Sequence, residues 1–384
     1  MTPSRLHALA AAGTSTWLDY IDRGMLASGG LGRRIREDAL AGMTSNPTIF
    51  EKALAEGAAY DAQVQAGAGM PSRALFEQLA TNDVREACDQ FSGVYRDTAG
   101  VDGYVSIEVS PDLHGDAAGT VVEARRLWKT IARPNVMIKV PGTDAGAGAI
   151  RTLIGEGINV NVTLLFAVEA HDAVIEAYLA GLEDRAGAGH AIDRVASVAS
   201  FFVSRVDTEV DKRLDAMIAT ADAWGRTVLA ALKGRAAIAN ARLAYELFER
   251  RFAGARWAAL AARGARVQRP LWASTGTKNP AYRDVLYVEQ LVGPLTVNTM
   301  PPATLDAFRD HGEVRDTLRG TAAGARATIA ALASHGIAMP DVTAKLLAEG
   351  LASFEKSFVT LLGGLERKTA ALGAHAAGAM QGAR

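Results

Sequence analysis

Cysteine is nearly absent: Cys88 is the only one in 384 residues. A single thiol can form neither an intramolecular disulfide framework nor a CxxC metal site, and it suits a reducing compartment. An excess of either charge is also missing. The 41 basic and 42 acidic residues leave a formal charge of −1, which removes the electrostatic reason to expect nucleic acid or an anionic membrane as partner. No apolar run approaches a transmembrane helix, and the opening "MTPSRLHALAAAGTSTW" lacks the apolar stretch of a signal peptide. Together these absences predict a cytoplasmic protein. The seven histidines are scattered, with no HExxH or other ligand pair, so no metal site is expected.

What is present is apolar residue, 49% of the chain, enough for one large α/β barrel or two smaller domains. Short β-branched stretches alternate with Ala-, Leu-, Glu- and Arg-rich stretches of helical composition. The candidate strands are 16–21, 41–45, 103–109, 136–140, 158–163, 195–202, 270–275 and 294–299. Candidate helices include 72–92, 120–132, 145–154, 168–181, 204–218 and 280–291. Such alternation implies βαβ units and a parallel sheet. Eight strands predict a single (β/α)8 barrel over 1–384, larger than the usual size of about 250 residues through extra helices. The surplus falls in a helical insertion around 204–268 and a helical C-terminal extension, 303–384. Residues 46–103 also have room for helices, and the Ala- and Gly-rich end, "KTAALGAHAAGAMQGAR", is expected to fray. A doubly wound open sheet is the competing architecture.

Alternate strand residues point to opposite faces. Tyr104, Ser106 and Glu108 share one face of their strand, against Val105, Ile107 and Val109. Asn159, Asn161 and Thr163 oppose Ile158, Val160 and Val162, while Met137 and Lys139 oppose Val136, Ile138 and Val140. Intervening helices require the apolar faces to pack outward, so the polar faces point into the barrel. The strands also finish in polar residues: Asp19, Asn46, Glu108, Lys139, Thr163, Ser200, Ser274 and Asn298. Any one of these could be a helix cap or a solvated strand end. All eight together match the C-terminal strand ends where barrel active sites are assembled.

Lys139 stands inside the apolar run "VMIKVPGT". It could be an edge lysine, or one with its stem buried and its head in water. It could also be a nucleophile, because an apolar wall disfavours ammonium and frees an amine to form a Schiff base with a carbonyl. That chemistry needs carboxylates to move protons, and Asp19 and Glu108 lie at suitable strand ends. Asn46, Asn161 and Ser200 could hold sugar hydroxyls. Arg205 and Lys278 follow strands six and seven, near the usual phosphate region of such barrels.

The stretches "WLDYI", "GMTSNPTIF", "VSIEVSP", "IKVPGT", "INVNVTLLF", "SFFVSRVD" and "WASTGTKNP" together resemble the transaldolase family, whose order they follow. The likeness extends to a long bacterial type, similar to the transaldolase part of transaldolase/glucose-6-phosphate isomerase fusions. It implies a barrel of the class I aldolase type, and transfer of a dihydroxyacetone unit between sugar phosphates in the pentose phosphate pathway. It implies Lys139 as the Schiff-base lysine and Asp19 as acid/base at the C4 hydroxyl. By the same resemblance Glu108 and Thr163 would position a proton-shuttling water, Asn46, Asn161 and Ser200 would hold hydroxyls, Phe202 would shape the pocket, and Arg205, Ser274 and Lys278 would hold phosphate. No metal or organic cofactor is required, since the imine is the electron sink. The expected partners are small sugar phosphates, and the expected assembly is a monomer or homodimer.

Three positions depart from the family pattern. "TSNP" puts Ser45 where threonine is common, "SFF" puts Phe201 where proline is usual, and "STGTKNP" offers Lys278 where a tighter segment carries arginine. Lysine binds phosphate as a point charge without a bidentate fork. Related fructose 6-phosphate aldolases resemble the chain too, but carry tyrosine and glutamine in place of Phe202 and Glu108, which favours transfer. The alternatives are such an aldolase, or a non-catalytic barrel that binds sugar phosphates. Elsewhere, "GTDAGAGAI" and "GDAAGT" read as helix entries, and "RRLWK" and "ERRFAGARW" as solvated helix faces. Trp17, Trp128, Trp224, Trp257 and Trp272 read as packing residues.

Overall fold

Eight short, largely apolar runs become eight parallel strands. They are β1 Thr14–Asp19, β2 Leu40–Thr44, β3 Tyr104–Glu108, β4 Val136–Pro141, β5 Val160–Leu165, β6 Ser197–Phe202, β7 Arg269–Ala273 and β8 Thr296–Met300. Each strand pairs with the next, and β8 pairs with β1, so the sheet closes into a barrel and the open-sheet alternative is excluded. The computed structural model describes residues 4–382 apart from residue 56, with side chains through residue 373. Helices Ala117–Ile131, Asp144–Glu156 and Val168–Gly187 cover the outside between β3 and β6. The β6–β7 connection holds four helices between Ser204 and Ala261.

Capping explains two of the helix entries. Thr143 Oγ1 accepts the Gly146 amide at 3.0 Å, and Asp116 Oδ1 accepts the Gly119 amide at 2.9 Å, each satisfying an amide that has no partner in the first turn. Both glycine-containing stretches are therefore helix starts, and the second helix begins at Ala117 rather than 120.

Three expectations are corrected. The segment 280–291 is helical only over Leu286–Glu289. Pro280 opens it, and Tyr282 is drawn away to donate to Asp211 across the fold. Trp224 does not pack: it is 76% exposed, whereas Trp17 and Trp272 are fully buried. The chain end does not unravel as a whole, because one helix runs Met339–Gly382; residues 383–384 lie outside the description.

The N-terminal end of the barrel is sealed by charge. Arg269, at the start of β7, donates to Asp102 at 2.8 Å and to Ser15 at 2.9 Å, and Ser15 donates to Asp102 at 2.7 Å. A buried ion pair survives only with its remaining polar groups bonded, as here. Next to this plug, Gly42 lets the Trp17 indole cross β2: a Cβ there would sit 2.4 Å from the ring.

The helix Met339–Gly382 crosses the opposite, C-terminal mouth. Gly350 lies against Leu164, where a Cβ would be 3.0 Å from Cδ2. Further along, Ser357 and Thr48 share a 2.9 Å hydroxyl contact, and Phe358 meets Phe76 edge-on at 5.7 Å. The helix thus runs from above β5 to the helix Pro47–Ala55 that follows β2. Among the described residues no helix is long and apolar enough to cross a membrane.

His171 is fully buried against Phe201, and among the described residues neither ring nitrogen has a hydrogen-bond partner. Burial lowers its pKa from 6.5 to about 4, because imidazolium loses its hydration there. The unfolded chain therefore binds a proton that the folded chain refuses. The corresponding stability is intact above the unfolded value and is lost as pH falls from about 6.5 towards 4, by about 3 kcal/mol. His171→Leu should remove this component. Urea unfolding of wild type and variant at pH 7 and pH 4.5 should show a smaller acid loss in the variant.

Candidate active site

Side chains in register on adjacent parallel strands point to the same face. Glu108 pairs in register with Lys139, and Lys139 with Asn161, so three inward polar groups lie side by side on β3, β4 and β5. Lys139 Nζ is 3.1 Å from Glu108 Oε2, and the two side chains are 5% and 4% exposed. Nζ also donates to the Ser45 carbonyl at 3.2 Å and lies 5.7 Å from the centroid of the Phe354 ring. The surroundings of the amine are thus less apolar than its own strand suggests: a carboxylate, a carbonyl and one aromatic face.

Asp19 ends β1. Its Oδ1 accepts the Thr44 hydroxyl at 2.7 Å, and Thr44 shares a second 2.7 Å contact with Thr299 of β8. Burial raises the Asp19 pKa above the usual carboxylate value; Lys139, the Thr44 bond, Arg205 and Lys278 pull it back part of the way. Burial raises Glu108 as well, against the Lys139 charge, and repulsion from Asp19 adds to the rise. Two carboxyls that hold protons more readily than free ones suit proton transfer near neutral pH.

Asp19 and Lys139 border a cleft of about 340 Å³ at the C-terminal mouth. It is lined by Asp19, Asn46, Lys139, Thr163, Ser200, Phe202, Arg205, Ser274 and Lys278 among the expected residues. Thr163 Oγ1 is buried and makes no hydrogen bond within the described protein, so its capacity is available to the cleft. Phe202 packs on Phe166 and carries the Arg205 guanidinium 5.3 Å from its ring centre. Ser274 takes a left-handed φ of 57° and meets the Ser204 hydroxyl at 2.9 Å, so the chain turns sharply at the rim. Asn46 Oδ1 caps the helix Pro47–Ala55 through the Ile49 amide at 3.0 Å, so its cap reading is correct for that oxygen.

Two expected residues sit elsewhere. Asn161 is fully buried beneath the cleft: its amide donates to Ser106 at 2.9 Å and its oxygen accepts Ser200 at 2.7 Å. Glu108 borders a smaller neighbouring cavity of about 40 Å³, shared with Asn46, Phe76 and Phe358.

Sequence reading missed Thr44, Thr299, Lys52 and Phe354, all of which line the cleft. Thr44 was within reach, one residue before the motif serine. Lys52 follows Thr48 by one helical turn, a signal visible once the helix is assumed. Phe354 had no local signal. Among the described residues Lys52, Arg205 and Lys278 have no carboxylate within ion-pair distance, so three cations without a direct ion-pair partner border one cleft.

A family model described as Transaldolase/Fructose-6-phosphate aldolase matches residues 16–365. The chain belongs to that family. It is 51% identical over 360 residues to a transaldolase of Mycolicibacterium smegmatis, covering 93% of this chain and 95% of the relative. It is 51% identical over 371 residues to a transaldolase of Thermobifida fusca, covering 96% and 99%. Transaldolase 1 of Streptomyces coelicolor is likewise 51% identical, over 94% of each chain.

The structure accounts for two of the three departures from the family pattern. Ser45 keeps the hydroxyl that threonine carries and donates it to the Ser106 carbonyl at 2.7 Å. Phe201 faces away from the cleft and packs edge-on against Trp272 at 6.3 Å, where an aromatic ring fills the outer layer. The third, Lys278, lies exposed at the rim of the cleft.

Proposed function

We propose that the chain transfers a dihydroxyacetone unit from a ketose phosphate, sedoheptulose 7-phosphate or fructose 6-phosphate, to an aldose phosphate such as glyceraldehyde 3-phosphate or erythrose 4-phosphate. The observation that carries this reading is the buried Lys139 amine held between the Glu108 carboxylate and the Ser45 carbonyl at the edge of a cation-rimmed cleft. Glu108, raised by burial, takes a proton from Lys139 and leaves an amine lone pair. That amine attacks the C2 ketone, and water leaves as the imine forms, with Thr163 beside it to hold the water. Asp19 accepts the C4 hydroxyl proton while the C3–C4 bond breaks, and an aldose phosphate departs. The enamine left on Lys139 attacks the carbonyl carbon of a second aldose phosphate, and Asp19 returns its proton to the new C4 oxygen. Water then cleaves the imine and frees the product ketose.

Asn46 and Ser200 are the hydroxyl contacts of this reading, with Asn161 holding Ser200 from below. Arg205, Ser274 and Lys278 hold the phosphate, and Phe202 shapes the wall. The imine supplies the electron sink, so no metal or organic cofactor is assigned. One barrel domain, a cytoplasmic location, a monomer or homodimer, and the likeness to isomerase-fused relatives complete the proposal.

Borohydride with fructose 6-phosphate, followed by peptide mass mapping, tests it directly. A reduced dihydroxyacetone adduct on Lys139 is expected, and its absence during turnover rules the scheme out. The cations give a second check. An exposed lysine that contacts phosphate only as a point charge contributes modestly, so Lys52→Met and Lys278→Met should each raise KM about three- to tenfold with kcat nearly unchanged. Arg205→Met, which removes a guanidinium stacked on Phe202, should raise it about ten- to a hundredfold.

A further inference from the structure

The Phe354 ring is 4% exposed, lines the cleft, and lies 5.7 Å from Lys139 Nζ. It belongs to the helix Met339–Gly382, which crosses the mouth of the barrel and has other anchors besides Phe354. Ser357 is tied to Thr48 at 2.9 Å, Glu355 to His114 at 3.1 Å, and Phe358 to Phe76 at 5.7 Å. On the other side of Phe354, Gly350 seats the same helix against Leu164 and Phe166. The ring is therefore presented to the nucleophile by a strap anchored both before and after it.

That placement bears on a problem posed by the proposed reaction. Once the C3–C4 bond has broken, the three-carbon unit must wait on Lys139 while one aldose phosphate leaves and another enters. Protonation of the enamine at C3, followed by addition of water to the imine carbon and release of the amine, would free dihydroxyacetone and end the transfer. A phenyl ring offers neither donor nor acceptor to hold a water beside that nitrogen, and it fills the space a water would occupy.

We infer that Phe354 is a positioning residue that keeps water from the Lys139-bound intermediate and so sets the partition between transfer and release. The inference rests on the transfer reading above. A core side chain with no such role would alter both rates together when truncated. A water-excluding side chain alters their ratio.

The test uses the full-length protein with fructose 6-phosphate, measuring transfer to erythrose 4-phosphate and free dihydroxyacetone in the same reaction. Phe354→Ala should lower the transfer-to-release ratio at least about tenfold, and Phe354→Leu, which keeps most of the apolar volume, should hold it within about threefold of wild type. Should the alanine variant fail to fold by circular dichroism, Phe354→Val provides the graded case and should lower the ratio about three- to tenfold. A ratio within about twofold of wild type in every folded alanine or valine variant, whatever the absolute rates, overturns the inference. Failure of the transfer reading is separately visible: wild type would then give no borohydride adduct on Lys139, or would form no sedoheptulose 7-phosphate from erythrose 4-phosphate. An adduct with unchanged partition defeats only the role given to Phe354.

Discussion

Lys139→Ala is expected to lose at least about ten-thousandfold in transfer activity, because the substitution removes the atom that bonds to C2 rather than a group that assists it. The loss should appear in kcat/KM with the circular dichroism spectrum unchanged, and borohydride should trap no sugar on the protein. A second consequence follows from the 3.1 Å pair with Glu108. Removing one member of a buried pair leaves the other without compensation. Glu108 is already raised by burial and loses the cation that opposes the rise, so it should take up a proton and enter the neutral state. Lys139→Met, which keeps the stem volume, should therefore fold as well as wild type while remaining inactive. Activity retained within about a hundredfold in either variant would exclude a covalent imine at this lysine.

Asp19→Asn is expected to lose about a hundred- to ten-thousandfold, the usual range for a general acid/base. The amide keeps an oxygen to accept the Thr44 hydroxyl, so the β1–β2–β8 contact survives and the loss is chemical. The direction of the pH dependence also follows. Asp19 must be ionised to accept the C4 proton, and burial raises its pKa. The acid limb of kcat/KM should therefore lie above the ordinary aspartate value of about 3.9. Lys278 holds that pKa down, so Lys278→Met should move the limb further towards neutral pH. A limb that moves towards acid in this variant would mean that another group controls it. Initial-rate profiles with fructose 6-phosphate over the acid range measure both effects.

Much of the site was legible because it is written in period-two alternation. Ser106 and Glu108, or Asn161 and Thr163, can share a face only in a strand, and their apolar alternates require packing on the other side. The inward direction of Lys139 followed from the alternation in its own strand together with the helices on either side. Depth did not. Asn161 and Thr163 share one face of β5, yet Thr163 lines the cleft while Asn161 is consumed below it by Ser106 and Ser200. The difference depends on how far neighbouring strands are staggered around the ring, which no single strand records.

Composition misled where tertiary partners prevailed. Residues 280–291 have helical residues, but Tyr282 bonds to Asp211, and Arg283 reaches Glu289 and the His311 carbonyl. Those contacts hold the segment in an irregular path. Trp224 looks like a core residue by type, yet the described fold leaves it largely exposed.

By itself the sequence determined which side chains face inward and which strand ends bear polar groups, because side-chain direction is a property of the local backbone. It thereby determined the nucleophile and its two acidic partners as candidates. Only the tertiary structure decided that Asp19 meets Thr44 and Thr299 across the closure of β8 on β1, that three unpaired cations share one rim, and that Phe354 stands over Lys139. Those distances depend on ring closure, strand stagger and the course of a distant helix, which are set by packing of the whole chain rather than by any segment of it.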